Sequence, residues 1–254
     1  MIIKNEKERA NLIEAGKRLA RVMEALKTKV ASGVSTEELD DLAEQLIRDG
    51  DDSPAFLGYT PEGASRPYPA TLCVSINDEV VHGIPNESRK VLKEGDIVSL
   101  DFGLTHEGVV VDAAITVPVG MVDEHAKKLL HATENALSAG IAKAIPGNHM
   151  GDISHAVQEE IERAGFKVVK ELGGHGVGDF LHEEPFIPNF GRAGAGPLLK
   201  EGMVLALEPI SAEGKAAVTV APNGYTFRTK DGSRSAHFEH TILIEKDGAR
   251  IITG

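Results

Sequence analysis

Residues 96–119 constrain the fold of this chain most, because they read as two β-strands joined by a tight turn. Apolar residues alternate at period two over 98–102 and 109–117, which predicts one buried face for each strand. Asp101 and Asp112 fall on the opposite face. A turn centred on His106 and Glu107 makes the two aspartates direct cross-strand partners, unless a one-residue bulge breaks that register.

Two carboxylates that face each other need something that offsets their repulsion. A shared proton, an arginine or a divalent cation can each do so. The cation is the strongest candidate, because carboxylates are hard oxygen ligands. The alternative is that both aspartates are solvated on an exposed sheet face. This segment alone leaves the solvated surface and the cation site equally open.

Composition excludes several classes of protein. The 254 residues hold 27 Lys and Arg against 39 Asp and Glu, a net charge of −12, which argues against nucleic acid as a main partner. No linker rich in Pro, Gly or Ser divides the chain, so we expect a single domain over 1–254. We see no secretory signal and no apolar run of about 18 residues. The lone Cys73 forms no internal disulfide, and we expect a cytoplasmic protein.

The remaining periodicity predicts an α/β protein in which helices followed by strands occur twice, as in two related halves. A capping box of Ser35 and Glu38 starts the second helix, which ends at Gly50. The Gly- and Pro-rich stretch 56–69 is a predicted loop. We predict helices over 6–30, 36–49, 123–145 and 152–164, and strands over 70–77, 79–84 and 167–172.

The second half of the chain carries further candidate ligands. Glu208 ends one apolar strand, and Glu239 lies within another, 235–244, on the same predicted face as His237 and Thr241. His175 lies in a glycine-rich segment, 173–185, that lacks a phosphate-binding pattern. A charged residue inside an apolar strand is costly unless it is paired or metal-bound. Each residue alone has a structural explanation, but four strand carboxylates and a histidine are typical of a site for two divalent cations about 3.5–4 Å apart.

These residues and their surrounding motifs resemble one known family. The order and spacing of NDEVVHGIP, GGHGVGDFLHEEP, ALEPI and SAHFEHTILI are similar to those of methionine aminopeptidases of the pita-bread metallopeptidase family. The short interval between His182 and Glu208 resembles the type I enzymes. The resemblance covers nearly the whole chain and implies the pita-bread fold, with pseudo-two-fold halves and a central curved antiparallel sheet covered by helices.

The resemblance also implies roles for individual residues. It implies two divalent ions, Co, Mn, Fe or Zn, of which Asp101 binds one and His175 and Glu208 bind the other, while Asp112 and Glu239 bridge them. Glu208 would move a proton during hydrolysis. The implied catalytic residues are His82, His182 and Glu208, and the implied substrate-binding residues are His82, His182, Cys73 and Tyr225.

Several positions depart from the family pattern. Ala113 stands where a threonine is common, which predicts a missing hydrogen bond behind Asp112. His237 stands where a glutamine is common, and it could be a hydrogen-bond donor to a ligand or an extra ligand. The other departures are Asp179, Leu181, Tyr225 and an apparent insertion at 60–67, and they bear on the substrate pocket.

The resemblance implies an enzyme that removes the initiator methionine from nascent chains and N-terminal Met peptides. We expect a monomer with transient proximity to the ribosome and no direct nucleic-acid or membrane partner. The alternative is a related pita-bread metallopeptidase specific for another N-terminal residue or for Xaa-Pro. A relative that kept the fold only for binding would be expected to lose ligands, and all five are present.

Overall fold

A computed structural model describes residues 1–254 and contains four helices, each close to its predicted position. Ser35 and Glu38 form the predicted capping box, in which the Ser35 hydroxyl and the Glu38 carboxylate each accept from the other's backbone N–H. No helix is both long and apolar enough to cross a membrane. The helices are α1 (Glu6–Lys29), α2 (Thr36–Asp49), α3 (Glu124–Lys143) and α4 (Met150–Arg163).

Fifteen strands follow the two helix pairs, five after α2 and ten after α4. The first group is β1 (Ser53–Pro54), β2 (Cys73–Ile76), β3 (Glu79–Val81), β4 (Ile97–His106) and β5 (Val109–Pro118). The second group is β6 (Lys167–Val168), β7 (Gly173–Gly176), β8 (Glu183–Pro188), β9 (Val204–Leu207), β10 (Ile210–Ala212), β11 (Val218–Val220), β12 (Phe227–Thr229), β13 (Ser235–His237), β14 (Glu239–Glu245) and β15 (Gly248–Ile251).

Nine of the strands form one curved antiparallel sheet. Its order is β1-β4-β5-β14-β9-β7-β8, with β2 also beside β4 and β15 also beside β14. Two three-stranded sheets, β13-β10-β6 and β11-β12-β3, complete the strands. The predicted mixed fold with a central curved antiparallel sheet is therefore confirmed.

The helices cover the face of the central sheet that carries its apolar side chains. Leu100 and Phe102 of β4 and Val111 of β5 join α1 and α2 in one apolar core, while α3 and α4 form a second with β9 and β14. Alternation at period two then directs the residues between them, including Asp101 and Asp112, to the other face. The candidate site therefore lies on the face turned away from the helices.

The predicted register of the β4–β5 hairpin is wrong. The turn residues are Glu107 and Gly108, both with positive φ (48° and 80°), as a two-residue type I′ turn requires. His106 pairs with Val109, so Asp112 pairs with Gly103 rather than with Asp101. The two aspartates are diagonal neighbours on one face, because the register changed by an even number of residues.

Three other strand predictions are corrected. The strand at 167–172 ends at Val168, since only Lys167 and Val168 pair with β10. The pair at 70–77 and 79–84 shortens to β2 and β3. The predicted strand 235–244 breaks at Phe238, because β13 pairs with β10 whereas β14 pairs with β5 and β9.

Candidate metal centre

Strand pairing places the candidate ligands in two adjacent rows across one face of the central sheet. The first row contains Cys73, Asp101, Ala114 and Glu239, and the second contains Gly103, Asp112, Thr241, Ala206 and His175. Glu208 directly follows β9 and lies two residues beyond Ala206, which places it beside Glu239 at the end of the first row. Residues that are more than a hundred positions apart in the chain therefore meet because of the sheet order.

The structure brings the predicted ligands together around His175. Its Nε2 atom lies 3.7 Å from Glu208 Oε1, 3.9 Å from Glu239 Oε1 and 4.0 Å from Asp112 Oδ2. Asp112, His175 and Glu239 each offer a ligand atom within 4.8 Å of the others. Asp101 lies on the first row beside Ala114, the strand partner of Glu239. This set of oxygen and imidazole donors fits a divalent cation.

Nothing in the protein itself neutralises the four carboxylates. Asp101, Asp112 and Glu239 are buried, and each has one side-chain oxygen without a hydrogen-bond partner. No lysine or arginine forms an ion pair with these residues or with Glu208. The exposed-surface and arginine alternatives for the aspartate hairpin are therefore wrong, which leaves protons or cations as the compensating charge.

Burial and mutual repulsion shift the proton affinity of these carboxyl groups upward. Burial raises the pKa of Asp112 to about 8, and the Glu208 carboxylate adds to this shift. Burial also raises the pKa of Glu208 to about 8. For Asp101 and Glu239, burial and then repulsion from neighbouring carboxylates raise the pKa well above its usual range. Without cations the cluster therefore holds protons at neutral pH, which cations would displace.

The backbone around His175 fixes its ring in a form that can bind a metal. Nδ1 hydrogen-bonds the Gly176 carbonyl oxygen at 2.9 Å, so Nδ1 carries the proton and Nε2 is free. Burial lowers the pKa of His175 to about 3, which keeps the imidazole neutral. Gly174 and Gly176 are required beside it, because an added Cβ would lie 2.3 Å from the Ala206 oxygen or 2.4 Å from the Glu184 oxygen.

His82 and His182 lie at the same cavity as the carboxylates. His182 is exposed, its ring centre is 4.5 Å from that of His175, and its Nδ1 lies 2.8 Å from the Tyr59 hydroxyl oxygen. His82 follows β3 with φ at 58°, and burial lowers its pKa to about 4. Both rings can thus act as neutral hydrogen-bonding groups toward a bound molecule.

An aromatic cavity of about 90 Å³ adjoins the carboxylates. Tyr68 contacts Phe56 and Tyr225 edge to face, with ring centres 6.4 Å and 5.2 Å apart. Cys73 is buried and pairs across the strands with Asp101, so its thiol lies beside the carboxylate cluster. All nine predicted site residues line this one cavity: Cys73, His82, Asp101, Asp112, His175, His182, Glu208, Tyr225 and Glu239.

Most of the positions that depart from the family pattern line or adjoin the cavity. Leu181 lines the cavity and Pro61 of the 60–67 segment forms part of its wall, whereas Asp179 is exposed and is not one of the lining residues. In the same segment, the Arg66 guanidinium lies over the Tyr225 ring. The Tyr225 hydroxyl in turn donates a hydrogen bond to the backbone carbonyl oxygen of Arg66. Asp112 Oδ1 has no hydrogen-bond partner, but the Ala113 side chain points into the apolar core on the other face of β5, so the structure does not attribute this lack to the alanine.

Two threonines that hold the ligand strands were not predicted. Thr241 Oγ1 accepts from the Asp112 backbone N–H at 2.9 Å and donates to the Asp112 carbonyl oxygen at 2.8 Å. Thr116 Oγ1 does the same for His237, with both distances 2.8 Å, and it also hydrogen-bonds Ser99. The sequence signal for both is a threonine on the same strand face as a carboxylate: Thr241 lies two residues after Glu239, and Thr116 lies four residues after Asp112.

Comparison with known proteins agrees with this geometry. The model of the family described as "Metallopeptidase family M24" matches residues 10–246. The chain belongs to metallopeptidase family M24. Over 98% of its length it is 45% identical to a methionine aminopeptidase of Aquifex aeolicus, of which the alignment covers 97%.

Solved structures place the fold within the same family. A methionine aminopeptidase of Thermotoga maritima superposes with a TM-score of 0.94 at 43% identity, covering 100% of this M24 chain and 99% of that one. A prolidase of Pyrococcus horikoshii gives 0.75 at 23% identity, covering 100% of this chain and 63% of that one, so this second likeness shows the fold alone. The predicted pita-bread fold and the predicted resemblance to type I methionine aminopeptidases are confirmed.

Proposed function

We propose that this M24 metallopeptidase is a methionine aminopeptidase, which removes the initiator methionine from peptides and nascent chains with the help of two divalent cations. The observation that carries the proposal is the set of four carboxylates, three of them buried and Glu208 half-buried, without any cationic side chain at one end of an aromatic cavity. The likeness to methionine aminopeptidases over the full chain supports the substrate class.

We assign Asp101 to one cation, His175 and Glu208 to the other, and Asp112 and Glu239 to both. Four negative charges match two divalent ions, and mixed oxygen and imidazole donors suit Co, Mn, Fe or Zn. When bound, such ions supply Lewis-acid stabilisation of negative charge and activation of a water molecule.

The side chains themselves can carry out the proton transfers and hold the substrate. The Glu208 carboxylate is 13% exposed against 4% for Asp112 and 2% for Glu239, so it faces the open side of the cluster. Glu208 can therefore take a proton from the attacking water and deliver it to the leaving amine. His182, fixed through Nδ1 by Tyr59, can donate from Nε2 to the developing oxyanion.

The cavity sets the specificity in this proposal. Cys73 and Tyr225, with Phe56 and Tyr68, enclose an apolar space beside the carboxylates that suits an unbranched thioether side chain. His82 lies on the same wall and would hydrogen-bond the peptide unit. We propose that residues 1–254 act as one catalytic unit in the cytoplasm and as a monomer, near the ribosome only transiently.

Peptide turnover across a metal series tests this function. After metal removal, the protein should be inactive, and adding Co, Mn, Fe or Zn should restore cleavage of Met-Ala-Ser far above that of Ala-Ala-Ser and Ala-Pro peptides. Metal analysis of the reconstituted protein should find two ions per chain. Equal cleavage of Met and Ala peptides, or preference for Ala-Pro, would instead assign the chain another specificity within the family.

A further inference from the structure

His237 is a buried histidine of the metal centre to which the five assigned ligands give no role. Its residue is 2% exposed, and neither ring nitrogen has a hydrogen-bond partner. Buried polar side chains without a partner are rare, and each calls for a specific cause. The ring lines the same cavity as the four carboxylates, so the cause is to be sought there.

The distances around His237 repeat those around His175. His237 Nε2 lies 3.5 Å from Glu208 Oε2 and 3.8 Å from Glu239 Oε2. His175 Nε2 lies 3.7 Å and 3.9 Å from the Oε1 atoms of the same two residues. The two imidazoles thus face opposite oxygens of the same pair of carboxylates.

These distances suit a shared cation better than hydrogen bonds. An N–H···O hydrogen bond joins atoms about 2.7–3.2 Å apart, and all four distances are longer. Two donors that each lie about 2.0–2.2 Å from one cation are themselves roughly 3–4 Å apart. His237 therefore stands where a donor to a cation beside Glu208 and Glu239 would stand.

The backbone of His237 is fixed in this place. Thr116 Oγ1 bonds both its N–H and its carbonyl oxygen at 2.8 Å, and Ser99 holds the threonine in turn. On the other side, the short strand β13 ends at His237 itself, and β14 begins two residues later at Glu239. The ring is thus held toward the carboxylates by the fold rather than by a contact of its own.

We propose that His237 is a sixth protein ligand of the metal centre, binding through Nε2 the cation that Glu208 and Glu239 hold. This rests on the proposed metal-dependent function. A second imidazole shifts the donor set toward ions that favour nitrogen, so the centre should prefer Zn²⁺ and Co²⁺ to Mn²⁺. His237 is the weaker of the two histidine ligands, because its Nδ1 lacks the carbonyl partner that orients His175.

Calorimetric titration of the metal-stripped protein tests the assignment. Compared with the unsubstituted protein, His237→Gln and His237→Ala should bind ZnCl₂ at one of two steps about 10–100-fold more weakly. Binding of MnCl₂ should change less. His240→Gln is the matched control, because its partly buried ring bonds Thr253 instead of facing the cluster, and it should bind both ions as the unsubstituted protein does.

A second measurement needs no substitution. In ¹⁵N spectra of histidine side chains, zinc addition should shift the Nε2 signals of both His175 and His237, and the His237→Gln spectrum identifies the second signal. An unmoved His237 signal, or unchanged zinc affinity in both variants while Asp112→Ala loses zinc, would overturn the sixth ligand and leave the proposed function intact. Failure of the unsubstituted protein to bind any metal would overturn both.

Discussion

Asp112 combines a fixed backbone with an uncompensated side chain. Thr241 satisfies both its N–H and its carbonyl oxygen, so the position of the residue is set by neutral hydrogen bonds. The carboxyl group is nevertheless buried, with Oδ1 unpartnered and with Glu208 close enough to raise its pKa. Burying this acid without a partner therefore destabilises the folded protein, and a bound cation would offset that cost.

Asp112→Asn should change activity and stability in opposite directions. The amide keeps the shape but removes the negative ligand that we propose both cations share, so metal content and Met-peptide turnover should fall, turnover by at least about 100-fold. In metal-stripped protein at pH 8, the melting temperature should rise instead. The unfolded chain ionises Asp112 freely, whereas the folded protein must keep it protonated or bury its charge, and the amide removes that difference. Metal analysis, peptide assays and thermal unfolding check the three effects.

The exposed Asp247, in the turn after β14, offers the matched control. Asp247→Asn should leave activity, metal content and melting temperature as they are. An Asp112→Asn protein that retained full turnover would contradict the proposed bridging role of Asp112.

At the scale of elements, threonine side chains join β5 to the chain segment that holds Glu239. Thr116, on β5, bonds the backbone of His237 at the end of β13, and Thr241, on β14, bonds the backbone of Asp112 on β5. The two contacts lie on either side of the break at Phe238. They keep His237 and Glu239 facing the same cavity although their strands belong to different sheets.

Thr116→Val and Thr241→Val should each destabilise the protein. Valine has nearly the same shape but leaves a buried backbone N–H without a partner, which costs about 1–3 kcal/mol. For a domain of this size, that is a fall in melting temperature of roughly 2–4 °C per kcal/mol. Thr219→Val, at an exposed position of β11, should change it little. Equal melting temperatures for all three variants would show that the threonines do not hold the strands together.

These elements also show what the sequence could and could not predict. Alternation at period two correctly placed Asp101 and Asp112 on one face. The predicted register was wrong by two residues, and a shift of two residues leaves every side chain on the same face. The register itself depends on whether Glu107 adopts positive φ, which is unfavourable for a residue other than glycine and hard to read from sequence. The break at Phe238 depends on pairing with β10, a contact distant in sequence.

For the molecule as a whole, the metal centre makes folding stability depend on pH. The buried carboxyl groups have raised pKa values, about 8 for Asp112 and Glu208, so the folded protein holds protons that the unfolded chain has released. His82, His175 and His237 act oppositely, because burial lowers their pKa values to about 4, 3 and 3, so they stay neutral in the folded protein while the unfolded chain takes up protons on them around and below pH 6.5. This histidine effect is half lost at pH 6.5 and fades as the pH rises further, so the carboxyl effect dominates toward pH 8.

Metal-stripped protein should therefore become less stable as the pH rises from 6.5 to 8. The slope is up to about 1.4 kcal/mol per pH unit for each carboxyl group that is protonated only in the folded state. With Zn²⁺ or Mn²⁺ in excess the trend should flatten or reverse, because the ions bind the deprotonated carboxylates and compete better with protons at higher pH. Thermal unfolding at pH 6.5, 7.25 and 8, with and without metal, measures both trends. A melting temperature of the stripped protein that rose over this range would mean that the four carboxyl groups are already ionised without a cation, and would contradict the raised pKa values on which this prediction rests.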